Sequence, residues 1–273
     1  MMKGFDGTLS ERLYLVMKHE GARLCCVDFG GDGAPALLLH GLAGRGNEWY
    51  ETAQWLREHY HVYALDQRGH GRSSKGLDDY SRDVYVNDAA CVIEQLGQGP
   101  VVLVGQSLGG QIAYLVAARR PELVQTLIVV EAGIHPDPDT PANIRKWLNG
   151  WPLPFPSLAA ARAYFGGDDD PEARAWIEVL EERDDGYWPQ FEGEEMVSSV
   201  EDQREYGEEW ARLHCPTLLV SGEKGYLPQA EAREMLTLNA NVRHERIPGA
   251  GHMLHLSHAH EWRKIAETFL REL

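Results

Sequence analysis

The sequence predicts an α/β protein in which helices cover both faces of a mostly parallel sheet and a helical cap is inserted between two strands. Two observations favour this fold class. Short apolar runs bounded by Gly or Pro alternate with longer amphipathic stretches. The alternation stops near residue 134 and resumes near residue 212, and the segment between is rich in proline and aromatic residues. Repeated strand and helix signals are typical of parallel sheets buried on both faces.

The predicted strands follow the apolar runs in chain order. They are 22–29, 35–41, 61–67, 100–107, 126–133, 216–223 and 242–249. Apolar residues recur at helical spacing in 48–59, 83–96, 108–120 and 261–273. We therefore assign residues 1–133 and 212–273 to the core and 134–211 to the cap. Within the cap, strand signals vanish and short helical patterns occur at 159–165, 172–183 and 200–213.

The composition is that of a globular protein with one large core. The chain has 273 residues, of which 43% are apolar and 25% are charged. Its 8 Trp, 11 Tyr and 6 Phe exclude a disordered chain, because so much apolar surface is too costly to leave in water. The net charge of −16 disfavours nucleic acid and anionic membranes as partners, since both attract clusters of Lys and Arg.

Targeting and cysteine signals predict a cytoplasmic protein. No run approaches the roughly 20 apolar residues of a membrane helix, and residues 1–16 lack the features of a signal peptide. Cys25 and Cys26 are adjacent, whereas Cys91 and Cys215 stand alone, which fits neither a disulfide framework nor a zinc site. Each is predicted to be a buried free thiol.

The strongest motif is G-x-S-x-G at Gly105 to Gly109, between an apolar strand and a helix. A serine on this tight turn has a strained backbone, and the glycines leave the crowded faces free of side chains. The turn directs the Ser107 hydroxyl toward the top of the sheet. The start of the helix leaves the Leu108 amide free to donate to an oxyanion. Ser107 is predicted to be a nucleophile, with a helix-capping serine as the alternative.

A hydroxyl nucleophile needs a base, and His252 lies in the turn after the last predicted strand. The histidines that follow match no common zinc spacing, so no metal site is predicted. Leu42 comes just after a buried strand, where its amide can be a second oxyanion donor. His40 is predicted to brace that loop through hydrogen bonds, and the glycine turn at 66–73 to lock loops.

In chain order, HGLAG, DQRGHGRS, GQSLGG and GAGHMLHL resemble the motifs of the α/β-hydrolase fold family, specifically its cap-bearing esterases, lactonases and carbon–carbon bond hydrolases. The resemblance covers the chain except the cap. It implies that Ser107 is the nucleophile, His252 the base, and the amides of Leu42 and Leu108 the oxyanion hole. Epoxide hydrolases and dehalogenases resemble the chain too, but they have Asp where this chain has Ser107.

One position departs from the family pattern. Most members carry the triad acid as Asp in a G-x-x-D motif after the penultimate strand, and here residues 222–225 are GEKG. An active enzyme must then draw a carboxylate from elsewhere to orient the histidine. Glu131, at the end of the strand after the nucleophile helix, is the preferred candidate, because its long side chain can reach the histidine loop. Glu223, Asp137 and the absence of any acid are the alternatives.

The cap gives the only indication of the substrate, because an insertion at this point closes over the strand ends where ligands bind. Some of its aromatic residues are predicted to line an apolar pocket, among them Trp147, Trp151 and Trp188. The acidic runs at 166–170 and 178–185 are predicted to be solvated surface that disfavours strongly anionic substrates. The predicted reaction is hydrolysis of a medium-sized apolar or aromatic ester or lactone, without a metal or organic cofactor.

Two other functions stay open. A hydrolase of carbon–carbon bonds in diketones would use the same serine and histidine on substrates that usually carry carboxylates. Such an enzyme would want an arginine in its cleft, which Arg45 or Arg145 could supply. Alternatively, the Gly at position 225 is compatible with a degenerate hydrolase that binds a small molecule without catalysis. The sequence makes no prediction of oligomeric state.

Overall fold

One sheet forms the centre of the fold, and helices cover both of its faces. The computed structural model describes residues 13–167 and 169–273. The strands are β1 (Leu13–His19), β2 (Ala22–Gly30), β3 (Ala34–Leu39), β4 (Tyr60–Asp66), β5 (Val101–Gln106), β6 (Val124–Val130), β7 (Leu180–Arg183), β8 (Gly186–Pro189), β9 (Thr217–Gly222) and β10 (Val242–Ile247). The helices are α1 (Tyr50–Leu56), α2 (Arg82–Leu96), α3 (Leu108–Arg119), α4 (Thr140–Asn149), α5 (Leu158–Tyr164), α6 (Pro171–Glu178), α7 (Gly193–Glu201), α8 (Gly207–Ala211), α9 (Gln229–Leu238), α10 (Leu254–Ser257) and α11 (Ala259–Arg271).

The sheet is mostly parallel, as the sequence predicts. Its strand order is β1-β2-β4-β3-β5-β6-β9-β10, and β7 and β8 form a separate pair. Within the eight-stranded sheet, β2 runs antiparallel to its neighbours β1 and β4. The neighbouring strands from β4 across the sheet to β10 are all parallel. The carboxyl ends of parallel strands meet at one edge of a sheet. The loops after β3, β5, β6, β9 and β10 therefore come together there.

The core is built by the alternation of side chains along buried strands. In β3, Leu37 and Leu39 pack on the face covered by α2 and α3, whereas Ala36 and Leu38 pack on the face covered by α1 and α11. Each face then forms its own apolar cluster. Because both faces are buried, the central strands are continuous apolar runs, which is why the sequence reveals them.

The sequence analysis missed the edge strand β1. Its exposed residues, such as Val16, alternate with buried ones, such as Met17, so it lacks the continuous apolar run of the central strands. A two-residue turn joins β1 to β2, and both of its residues, Glu20 and Gly21, have positive φ. A Gly in such a position is typical of tight hairpin turns and was the one available signal.

The cap segment between β6 and β9 contains helices, as predicted, and also an antiparallel hairpin that the sequence analysis missed. The helical pattern predicted at 172–183 ends with α6, and the chain then forms β7. Gly186, with φ of 140°, allows the turn into β8. The pattern at 200–213 belongs to two helices, α7 and α8, rather than one. A domain division at residues 134 and 211 stays a prediction.

In the described ranges, no helix combines the length and apolar character that a membrane crossing needs. The absence of a signal peptide was argued largely from residues 1–12, which lie outside the described residues. All four cysteines are free, but only Cys25 and Cys26 are buried, whereas Cys91 and Cys215 are partly exposed.

Candidate active site

Ser107 lies on a strained turn between β5 and α3. Its φ of 52° and ψ of −117° are unfavourable for a residue with a side chain. The turn is tight because a Cβ atom at Gly105 would lie 2.1 Å from the carbonyl oxygen of Gly109. The Ser107 side chain makes no capping hydrogen bond to the helix. The geometry therefore disfavours the helix-cap alternative and leaves the hydroxyl free toward the cavity above the sheet.

Glu131 follows β6 directly, and its side chain is completely buried. One carboxylate oxygen accepts the amide hydrogen of Gly222 at 2.7 Å. The other accepts the amides of Tyr226 and Leu227, the latter at 3.4 Å. That second oxygen also lies 3.3 Å from Nδ1 of His252. Backbone donors thus hold the carboxylate in place beside the histidine ring.

The Glu131 carboxylate fills the space that a side chain at position 225 would enter. A Cβ atom at Gly225 would lie 2.2 Å from each of its oxygens. The family pattern has its acid at this position, so the chain puts a carboxylate in nearly the same place from a different strand. The two alternatives lie elsewhere: Glu223 accepts the Gly249 amide at 2.8 Å, and Asp137 accepts the amide of Asp139 at 3.0 Å.

His252 is held from two sides. Its Nδ1 faces Glu131, which leaves Nε2 as the ring nitrogen available to accept a proton. The side-chain amide of Gln106 donates from Nε2 to the His252 carbonyl oxygen at 3.1 Å. This bond connects the histidine loop to β5, the strand that ends in the serine turn. In the described part of the chain, no hydrogen bond joins the Ser107 hydroxyl to this ring. Such contacts are often long without substrate and tighten when it binds.

The loop after β3 fixes the orientation of the Leu42 amide. The Gly41 carbonyl accepts hydrogen bonds from Nδ1 of His40 at 2.7 Å and from the Gly44 amide at 3.1 Å. In a trans peptide, C=O and N–H point in opposite directions, so the Leu42 N–H points away from the His40 ring. His40 accepts the Gln67 amide with its other nitrogen, so it braces the loop. Leu108 begins α3, where an amide has no partner within the helix.

A second histidine supports the same loop. His70 accepts the Ala43 amide at 3.1 Å with Nε2 and donates to the Arg68 carbonyl at 2.8 Å with Nδ1. Burial, together with the neighbouring His40, holds the pKa of His70 well below its usual value. The ring is therefore neutral, as its two hydrogen bonds require.

One cavity of about 460 Å³ brings these residues together. Ser107, Glu131, His252, Leu42 and Leu108 all line it. This volume suits a small organic substrate. Much of the remaining wall is apolar. The cap contributes Ile144, Trp147, Trp176 and Val200, and the core contributes Met253.

Of the three predicted aromatic wall residues, only Trp147 lines the cavity. Trp151 was wrongly predicted: it is 5% exposed and packs behind Trp147 among the cap aromatics, including Phe191. Trp188 was also wrongly predicted. It lies in β8, where its indole N–H donates to Asp185 at 2.8 Å. Helical spacing does not distinguish an aromatic that faces a cavity from one that packs inside the cap.

The two arginines considered from the sequence do not reach the cavity. Arg45 donates to the Glu178 carbonyl and to Gln190, both at 2.9 Å, so it ties its loop to the cap. Arg145 is partly exposed and pairs with Glu194 at 2.9 Å. The arginine that lines the cavity is Arg82, at the start of α2, which the sequence analysis missed.

The sequence profile described as the alpha/beta hydrolase fold matches residues 35–259. The chain belongs to the α/β-hydrolase fold family. Members of this family carry their reactive groups at the sheet edge described above, and the resemblance of the four sequence motifs to the family is confirmed.

Two named hydrolases match most of the chain at 26% sequence identity. The chain is 26% identical over 250 residues to the (E)-2-((N-methylformamido)methylene)succinate hydrolase of Acinetobacter baylyi, covering 83% of this chain and 86% of that protein. It is 26% identical over 229 residues to the 2-(acetamidomethylene)succinate hydrolase of Mesorhizobium japonicum, covering 81% and 82%. The crystal structure of an E-2-(acetamidomethylene)succinate hydrolase superposes with a TM-score of 0.88 at 23% identity, covering 95% of this chain and 99% of that one. This last likeness concerns the fold alone.

Proposed function

We propose that this chain is a serine hydrolase that cleaves a carboxylic ester or lactone through an acyl-enzyme on Ser107. His252 acts as the base and Glu131 as the acid that orients it. The observation that carries the proposal is the buried Glu131 carboxylate, 3.3 Å from His252 and seated where a side chain at 225 would enter. A degenerate binding protein has no need to keep an acid that replaces the lost one, so this observation favours catalysis.

The first half of the reaction acylates the serine. Ser107 attacks the carbonyl carbon while Nε2 of His252 takes the hydroxyl proton, and Glu131 stabilises the imidazolium that forms. The carbonyl oxygen becomes an oxyanion that accepts the Leu42 and Leu108 amides, each worth roughly 3 kcal/mol of barrier. The imidazolium then gives its proton to the alkoxide as the C–O bond breaks, and the alcohol departs.

The second half returns the enzyme to its starting state. Water gives a proton to His252 and attacks the acyl carbon, and the same two amides hold the second oxyanion. The C–O bond to Ser107 then breaks as the serine oxygen recovers its proton from the imidazolium. No step requires a metal or an organic cofactor. A cytoplasmic location and a small-molecule substrate, without nucleic acid or membrane partners, remain part of the proposal.

The cavity supports a substrate of medium size. Its volume of about 460 Å³ and its apolar wall fit an acyl group of several carbons or an aromatic ring. A carbon–carbon bond hydrolase is the second candidate, because its substrates carry carboxylates and a buried arginine, Arg82, lines the cavity. Relatives named as hydrolases of substituted succinates act on molecules with carboxylates, which is compatible with either reaction.

Labelling with a fluorophosphonate tests the proposed nucleophile. We expect the wild-type chain to be labelled and to hydrolyse p-nitrophenyl esters, with a preferred acyl length in a graded series. Ser107→Ala should abolish both signals, and His252→Gln should slow both by at least a hundredfold. Ser198→Ala is the matched control, because Ser198 is an exposed serine of α7 that does not line the cavity. Equal labelling of wild type and Ser107→Ala, or no labelling of wild type, would refute the proposal.

A further inference from the structure

Arg82 is a buried cation that forms no ion pair with any described residue. It is the first residue of α2, is 1% exposed, and lines the same cavity as Ser107 and His252. Its Nε and Nη1 are buried and have no hydrogen-bond partner among the described residues. Burial lowers the pKa of the guanidinium, but an arginine stays charged in proteins. An uncompensated buried charge is unfavourable, so its retention calls for a function.

Another buried arginine in the same chain shows the ordinary solution. Arg68 forms a two-pronged pair with Asp88, with its Nε at 2.6 Å and its Nη2 at 2.9 Å from the two carboxylate oxygens. This pair satisfies the planar fork of the guanidinium. In the described residues, Arg82 has no carboxylate within salt-bridge distance.

The groups around Arg82 are committed to other partners. Asp202 accepts the Arg82 backbone amide at 3.3 Å and pairs with Arg204 at 3.0 Å, but it forms no ion pair with the Arg82 side chain. Nearby phenols are neutral and donate elsewhere: Tyr114 to the Gly133 carbonyl at 3.1 Å, and Tyr85 to the Arg68 carbonyl at 3.2 Å. The charge of Asp202 still acts on Arg82, but no described side chain forms an ion pair with its guanidinium.

The cavity wall is polarised. Glu172 also lines the cavity, and burial, together with the neighbouring Asp170, raises its pKa. Glu48, another lining residue, lies 3.4 Å from His255. The cavity therefore has an acidic end near the histidines and a basic end near α2.

We propose that Arg82 binds a carboxylate of the substrate, so that the preferred substrates are acyl compounds with a carboxylate a few carbons from the scissile carbonyl. This inference rests on the proposed function. A guanidinium presents two parallel N–H donors that match a carboxylate, and in a buried cavity this pairing is strong. The acidic end disfavours a second negative group near His252, which sets the direction in which the substrate lies. The expectation that anionic substrates are disfavoured came from the runs at 166–170 and 178–185, and no described residue of these runs lines the cavity.

Matched pairs of esters test the proposal. The charged substrates are the mono-p-nitrophenyl esters of succinate, glutarate and adipate, and the neutral ones are p-nitrophenyl butyrate, valerate and hexanoate. We expect wild type to prefer the charged ester of at least one pair. Arg82→Gln should lower the ratio of kcat/KM for charged over neutral ester by about a hundredfold, mainly through KM. Arg82→Lys should recover part of the ratio. Arg145→Gln should leave the ratio unchanged, because Arg145 is partly exposed and does not line the cavity.

The outcomes separate the two proposals. Equal loss on charged and neutral esters in Arg82→Gln, or no wild-type preference for any charged ester, would overturn the carboxylate site while serine hydrolysis stands. Absence of both ester turnover and fluorophosphonate labelling would instead overturn the proposed function. In that case the rise in Tm on adding glutarate still tests Arg82. A rise that persists in Arg82→Gln contradicts the carboxylate site. A larger rise with inorganic phosphate contradicts it as well. The variant itself should fold, with a Tm no lower than wild type, because it removes an unpaired buried charge.

Discussion

Gly225→Ala is expected to inactivate the enzyme although it adds one methyl group to a loop. The new Cβ would lie 2.2 Å from both Glu131 carboxylate oxygens and 2.3 Å from the carboxyl carbon, more than 1 Å inside van der Waals contact. A carboxylate displaced by about 1 Å loses its contact with His252, now 3.3 Å, and the Gly222 amide, now 2.7 Å. Loss of the acid reduces kcat by roughly 10²- to 10⁴-fold, or about 3–5 kcal/mol of barrier. Unsatisfied buried groups lower the free energy of unfolding by about 1–3 kcal/mol each.

A double variant shows whether this loss comes from the acid. Glu131→Gly removes the side chain that excludes others from position 225, and it also relieves a φ of 53°. Gly225 does not have positive φ, so its backbone accepts Asp. Glu131→Gly combined with Gly225→Asp should recover kcat to within about tenfold of wild type, while each single change stays at least a hundredfold lower.

The assay is steady-state hydrolysis of one p-nitrophenyl ester, with thermal unfolding recorded for every variant. Glu223→Gln is the control and should stay within about threefold of wild type, because Glu223 bonds to Gly249 and not to the histidine ring. A Gly225→Ala variant that keeps a third of the wild-type kcat would contradict this role of Glu131. A double variant no faster than Glu131→Gly alone would contradict it equally.

Two further changes give predictions that concern the support of the site. Gln106→Met removes the donor to the His252 carbonyl and should lower kcat/KM by roughly tenfold, measured with the same ester, and a change below twofold would contradict this positioning role. His70 has a lowered pKa in the folded state, so the unfolded chain takes up its proton first and acid favours unfolding. Its contribution makes the free energy of unfolding fall by up to about 1.4 kcal/mol per pH unit below pH 6.5. Denaturant titrations at pH 7 and 5.5 should therefore show a smaller fall for His70→Gln than for wild type. An equal fall in the two proteins would be the contrary result.

The sequence predicts most of the core because buried parallel strands are apolar along their whole length. It also predicts the tight turn at Ser107, since Gly105 and Ser107 belong to a local motif whose geometry depends on neighbouring residues. The strand β1 was missed because one of its faces is exposed, and the β7–β8 hairpin because its few residues carry a mixed pattern within an otherwise helical segment.

The rest of the site depends on distances that no local pattern contains. Glu131 could be proposed from the missing Asp, but only the structure reveals that its carboxylate enters the space at Gly225. Arg82 follows a serine on a polar stretch and is indistinguishable in sequence from a solvated helix start. Trp147, Trp151 and Trp188 are all tryptophans of the cap segment, so the sequence does not distinguish them. Packing between cap elements decides which ring faces the cavity.

The segment that connects β6 to the cap has a consequence for protein engineering. Two residues separate Glu131 from Ile134, and Glu231 of α9 accepts the amides of Ile134 and His135 at 2.6 and 3.0 Å. The proposed acid is thus separated from the inserted segment by a short linker clamped to the core. A chimera that exchanges caps among relatives should join its parts after His135. A junction at the strand end itself would import a foreign anchoring sequence and reorient the carboxylate, whatever the quality of the grafted lid.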